Sequence, residues 1–163
     1  MSSYYLRIES ALETCRNHVR SLDPTDMADK ELETYLVAGL VLLIVSEYEE
    51  HLELLFGKRA EMCGDNFASN YIKKNLSKAF RNPDLNKIHH ALRNFDESYL
   101  QCFKQEIENS PSHAAWDSLI KARHAIVHKA GPLNLTFHEL MANYPLTKDV
   151  IRNVEYALGL ESE

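Results

Sequence analysis

Residues 111–132 read PSHAAWDSLIKARHAIVHKAGP, a segment bounded as a helix at both ends. Pro111 suits a first helical turn, with Ser110 or Asn109 as cap, and Gly131-Pro132 is a stop signal. At about 100° per residue, Trp116, Leu119, Ile120, Ile126, Val127 and Ala130 gather on one side, and Arg123 falls near the middle of that side. A permanently charged guanidinium is thus centred on an apolar stripe. A second stripe, Asp117, Lys121, His124 and His128, runs beside it at spacings of four, three and four, so these side chains are neighbours along one ridge. His128 falls in the last turn, where the helix dipole favours an imidazolium.

Two explanations of these residues stand side by side. An arginine on an apolar stripe either snorkels or pairs with a buried carboxylate, and a helix-terminal histidine can be a favourable cap. Alternatively, a histidine that titrates near neutral pH serves general acid/base chemistry and an arginine clamps a phosphate.

Working outward, the chain reads as helical throughout, with no sustained period-two alternation, internal repeat or low-complexity tract. Helix one is expected from about Tyr4 to Leu22, with Ile8, Leu12, Cys15 and Val19 inward, and Pro24 breaks it. Helix two is expected to start at residues 26–29 and to run past Phe56, about thirty residues or ~45 Å. Its centre, residues 36–45, is apolar all round and must be covered on several sides, and Gly39 permits close helix approach or a kink. Beyond Ser46 it turns amphipathic, with Tyr48, Leu52, Leu55 and Phe56 inward and Glu49, Glu50 and Glu53 outward.

Residues 67–80 predict helix three, and Asn82-Pro83-Asp84 breaks it. Residues 85–107 form one helix or two, bent near Asn94–Asp96; His89-His90 beside Arg93 could touch RNA, but adjacent histidines do not face the same way, and plain exposed surface explains them better. After the 111–130 helix, Thr136 and Glu139 have the form of a capping box, and Tyr144-Pro145-Leu146 is expected to separate a short helix from a last one over 147–158. The expected architecture is all-α, a single-domain helical bundle over residues 1–163 with four to five main helices and short C-terminal ones.

The bulk properties narrow the class. A 45% apolar, 26% charged composition is that of a globular protein. The longest apolar run, Tyr35 to Val45, is well short of the ~20 residues that span a bilayer, and MSSYYLRIES lacks the apolar centre of a signal peptide. Cys15, Cys63 and Cys102 are scattered, with no CxxC pair, which predicts reduced thiols, a cytoplasmic setting and no zinc site. The net charge of −6 disfavours nucleic-acid binding by bulk attraction. Its distribution is uneven: residues 66–94 hold Lys73, Lys74, Lys78, Arg81, Lys87 and Arg93 against Asp84 alone. Lys73, Lys74, Lys78, Arg81 and Arg93 are therefore candidate RNA contacts, or simply solvated helix faces.

Arg123-His124-Ala125-Ile126-Val127-His128 reads R-H-x-x-x-H and resembles the Arg-x4-6-His motif of the HEPN superfamily, in which the residue after the arginine is commonly polar, as His124 is. Its position, late in a helical chain and after a long apolar helix carrying Ser46-Glu47-Tyr48-Glu49-Glu50, resembles HEPN proteins of bacterial toxin and antiphage type, the RiboL-PSP-associated group among them. The resemblance implies a helical bundle that dimerises with two motif helices near the two-fold axis. It further implies metal-independent, cofactor-free RNA cleavage to a 2′,3′-cyclic phosphate and a 5′-OH. Arg123, His128 and His124 would be the catalytic residues, and an antitoxin or defence-system protein a possible partner. Some HEPN toxins carry a modified tyrosine two residues after the motif histidine; Ala130 stands there, a departure that tells against regulation by that route and leaves the implied nuclease chemistry untouched.

Two other classes stay open on the residues themselves. His124 with His128, and Glu47 with His51, share the i, i+4 spacing of metal ligands, without a clustered third ligand. A noncatalytic HEPN-like module that binds RNA or a partner protein fits the same helices.

Overall fold

The computed structural model describes residues 3–128 and 133–160, so Ala130 and the Gly131-Pro132 stop lie outside the described residues. Seven helices and no strand occur among the described residues: α1 (Ser3–Val19), α2 (Met27–Glu61), α3 (Asn66–Ala79), α4 (Leu85–Phe95), α5 (Glu97–Ile107), α6 (Pro111–His128) and α7 (Phe137–Ala157). The architecture is all-α, as expected from the sequence.

Aspartates start most of these helices. Asp26, Asp65, Asp84 and Asp96 hold extended backbone at the N-caps of α2, α3, α4 and α5, and each carboxylate accepts backbone N–H groups of the first turn. This supplies acceptors to donors that have no partner inside a helix. Thr136 and Glu139 form the expected capping box on α7. Ser110 does not cap α6 as expected; its hydroxyl donates to Ile107 O of α5 at 3.0 Å.

α2 is the spine. It packs on α1, α3, α6 and α7, while α5 packs on α4 and α7 and α6 packs on α7. Its buried side includes Val37, Val41, Ile44, Tyr48, Leu52, Leu55 and Phe56. The expectation that the side chains of its apolar centre, residues 36–45, are covered on several sides holds except at Leu42, which is exposed, as are Leu32 and Tyr35 just before that centre, Tyr35 by 65%. Nor does Gly39 mark a close approach, since a Cβ added there would meet nothing within 4 Å.

Residues 85–107 divide at Asp96, which ends α4 with an extended φ of −164° and caps α5 in the same stroke. The C-terminal region departs from its expected division. Pro145 lies inside a continuous α7 instead of separating two helices. Leu140 and Tyr144 before it and Thr147, Val150, Ile151 and Val154 after it are all buried, while Pro145 itself is exposed. Burial of one continuous face on both sides offsets the ~3 kcal/mol that an interior proline costs a helix.

A buried polar chain ties three helices and a turn together. Trp116, with no solvent exposure, stacks on Tyr48 with ring centroids 5.3 Å apart. Its Nε1–H donates to Pro83 O at 2.8 Å. Tyr48 Oη lies 2.9 Å from Thr147 Oγ1, which itself donates to Tyr144 O. Because a threonine hydroxyl carries one proton, Tyr48 is the donor in the first of these bonds. α2, α6, α7 and the α3–α4 turn are thereby fixed to one another two turns of α6 before the motif.

Candidate functional site

α6 buries Ser112, Ala115, Trp116, Leu119, Ile120 and Ala122, so its first three turns are anchored. The last turn is different. Ile126 is half-buried and Val127 is 48% exposed, which corrects the expectation of a continuous apolar stripe to the helix end.

Arg123 lies at the boundary between these two parts. Its side chain keeps 20% of its exposure, and Nη2 approaches Glu49 Oε1 of α2 at 3.9 Å, Glu49 being 23% exposed. That distance is an ion pair and exceeds hydrogen-bonding range. The same Glu49 oxygen accepts the backbone N–H of Asn82 at 2.6 Å. Asn82 adopts φ of +56°, a left-handed conformation that asparagine tolerates better than most residues. It follows Arg81 in a turn whose carbonyls at Arg81 and Asn82 accept from Lys87 Nζ at 2.5 and 3.0 Å. The guanidinium therefore faces a carboxylate that is itself held by a stapled turn.

Glu49 and Asn82 are what the sequence reading missed. Glu49 was expected outward with Glu50 and Glu53. It lies at the border of the buried side of α2, and its function as an anchor depends on a turn 33 residues further along the chain. The only local signal was its place in Ser46–Glu50. Its neighbour Glu47 is buried and pairs with Arg7 at 2.7 Å.

The second predicted stripe divides. His124 and His128 are exposed at the helix end, their ring centroids 4.4 Å apart. Asp117 and Lys121 instead line an open groove of about 590 Å³ with His113, Ser118 and Asn134, and Arg123 is not part of its lining. The structure thus brings His124 to His128 within the last two turns of α6, and Arg123 of the same turns to Glu49 of α2.

The basic sector is also divided. Lys73 pairs with Glu61, and Arg93 pairs with Glu97 at 3.3 Å. Lys74, Lys78 and Arg81 are exposed. His89 packs against Phe103 with centroids 5.7 Å apart, whereas His90 is exposed and contacts Asn94, so the histidine pair does not present one surface. Among the described residues no group of three or more His, Cys, Asp or Glu side chains gathers as a metal site. No helix among them is long and apolar enough to cross a membrane.

An all-helical bundle with an Arg-x4-His motif on the last turns of a core helix defines a HEPN-type protein. The RiboL-PSP-HEPN family model matches residues 3–159, and the chain belongs to that family. No curated protein and no solved structure matches it. Family membership points to a nuclease or another RNA-related module.

Proposed function

We propose that this chain is a metal-independent endoribonuclease that cleaves RNA by attack of the 2′-OH on the adjacent phosphate, with Arg123, His128 and His124 as its catalytic residues. The carrying observation is that Arg123, mostly buried and ion-paired with Glu49, shares the end of α6 with His124 and His128, which are exposed and 4.4 Å apart by ring centroid. RNA carries its own nucleophile, so the protein must remove one proton, stabilise charge on the phosphate and protonate the leaving oxygen. His128 takes the 2′-OH proton; O2′ forms a bond to phosphorus as the P–O5′ bond breaks. The proton returns to O5′, leaving a 2′,3′-cyclic phosphate and a 5′-OH. Arg123 offers planar, bidentate donors to the phosphate oxygens, and His124, in ring contact with His128, orients the substrate.

Arg123 and His128 are five residues apart, about 140° around the helix, so the site is completed by a second copy. The exposed face of α2 supports a homodimer: Tyr35, Leu42 and Glu49 are spaced by seven and share one side, so the apolar strip runs up to the motif. We place this activity in toxin–antitoxin or antiphage defence in the cytoplasm, restrained or triggered by a partner protein.

One observation favours a second reading, a noncatalytic HEPN-like module that binds RNA or a partner protein: Arg123 has a carboxylate partner and can act as a structural clamp. The test incubates wild type, His128→Ala and Glu49→Gln, each shown to be folded and sized for dimer, with total RNA and tRNA in excess EDTA. The nuclease reading expects cyclic-phosphate ends from wild type, a loss of about 10²–10⁴-fold in His128→Ala, and partial activity in Glu49→Gln. Equal cleavage by all three sinks the residue assignment; RNA or partner binding without cleavage favours the module.

A further inference from the structure

The most exposed large apolar side chains of the described residues include Phe67, at 90%, and Tyr71, at 72%, both on α3. They are not isolated. Phe67, Tyr71, Lys74 and Lys78 follow one another at spacings of four, three and four, which confines them to one ridge of the helix. That ridge is opposite the side α3 buries with Ser69 and Leu76. It extends over about 16 Å at 1.5 Å per residue. Arg81, exposed in the turn that follows, continues it.

We propose that this ridge is a track for single-stranded RNA, with bases stacked on Phe67 and Tyr71 and the following phosphates held by Lys74, Lys78 and Arg81. The inference rests on the reading of the chain as an RNA-handling domain. Two solvent-facing rings followed by cations are the combination that binds a single strand without sequence readout: every base has a face to stack, and every nucleotide a phosphate. Charge selects the occupant. The chain as a whole is acidic, with a net charge of −6, yet residues 66–81 carry four basic side chains and no acidic one. The one flanking lysine that would blur the pattern, Lys73, turns aside to Glu61.

The track also has a destination. Arg81 is followed by Asn82, whose backbone N–H holds Glu49, and Glu49 faces Arg123. A strand whose phosphates leave Lys78 and Arg81 is therefore delivered towards the motif. Stacking at the far end of α3 supplies affinity remote from the bond to be cleaved, which raises occupancy without touching the reacting groups.

The experiment measures binding of a fluorescein-labelled twelve-nucleotide single-stranded RNA to the full chain carrying His128→Ala, so that the probe is not consumed. Removal of each ring, by Phe67→Ala or Tyr71→Ala, is expected to weaken binding about tenfold, while Phe67→Tyr retains it. Lys74→Gln with Lys78→Gln is expected to flatten the dependence of log K on log salt by about 1.4, at ~0.7 per phosphate contact. On the His128 background, the ring variants raise KM for long RNA and leave kcat for a dinucleotide unchanged. Binding indifferent to both rings overturns the track even if cleavage persists, as does ring-dependent binding to phosphatidylserine vesicles without binding to RNA. Ring-dependent RNA binding by a wild type that never cleaves keeps the track and sinks the nuclease.

Discussion

Replacing Trp116 by Phe tests the arrangement that holds the motif in place. The substitution keeps an aromatic ring over Tyr48 and removes two things. The Nε1–H is lost, leaving Pro83 O buried without its 2.8 Å donor, at about 1–3 kcal/mol. The larger ring is lost as well, roughly two methylene equivalents of fully buried apolar surface, or about 1.6 kcal/mol at ~0.8 each. Together these predict a destabilisation of about 2.6–4.6 kcal/mol, a large part of the 5–15 kcal/mol typical of a folded domain. At about 2–4 °C per kcal/mol, Tm should fall by roughly 5–18 °C. The assay is urea and thermal unfolding by far-ultraviolet circular dichroism, because Trp116 is the chain's single tryptophan and its loss removes the fluorescence probe. The same carbonyl belongs to the turn in which Asn82 holds Glu49, so the variant should also loosen Arg123 and lower any cleavage at temperatures where it remains folded. A loss below about 1 kcal/mol would refute the reasoning, since neither the indole bond nor the buried ring would then be holding the turn to α6.

Three further outcomes follow from the same physics. Pro145→Ala should stabilise the protein by about 1–2 kcal/mol, because an exposed site in a continuous helix regains an N–H and loses a ring clash, less the entropy proline removes from the unfolded chain; an unchanged denaturant midpoint would count against a regular helix there. Asn82→Gly should be near neutral and Asn82→Ala should lose about 1 kcal/mol, since φ of +56° is strained for alanine; equal midpoints for the two would mean the turn is not left-handed. Burial, reinforced by Lys58, pushes the His51 imidazole below its ordinary 6.5, and burial, with Lys104, does the same to His89. The native state then binds fewer protons than the unfolded chain, so their contribution is present above that ordinary value and is lost as pH falls through the lower folded values. Stability measured across that window should decline on acidification, and His51→Gln should flatten the decline; an unaltered slope would exclude His51.

The fold was legible wherever short-range chemistry decides it. Asp26, Asp65, Asp84 and Asp96 cap helices because a carboxylate two or three residues from a free N–H is a local event, visible in any window of four residues. The α4–α5 break was narrowed to a few positions for the same reason. α7 was not legible. Pro145 signals an end on local grounds, and only the shared burial of Tyr144 and Thr147 against distant helices overrides it. α2 failed in the opposite direction: an all-apolar centre predicts cover, yet nothing in periodicity states that Tyr35 and Leu42 stay open within one chain. At the candidate site, the motif's residues could be grouped from sequence because they lie on one helix, whereas Glu49 and Asn82 belong together only after α2 and the α3–α4 turn have met.

The two explanations of Arg123 can be weighed within the molecule itself. α2 carries two carboxylates that meet arginines, two residues apart. Arg7 closes on Glu47 at 2.7 Å although its own side chain is 70% exposed and has water as an alternative partner. Arg123 keeps only 20% of its exposure and stops 3.9 Å from Glu49, which at 23% is less buried than Glu47 at 6% and so is less dependent on its arginine. The carboxylate is not short of acceptor capacity, because a carboxylate has lone pairs for several donors beyond the Asn82 N–H. An arginine that served only to fasten α6 to α2 would gain by closing the remaining ångström. At 3.9 Å from Glu49 Arg123 keeps donors that the proposed phosphate clamp requires, and the comparison of wild type with His128→Ala and Glu49→Gln decides between the two readings.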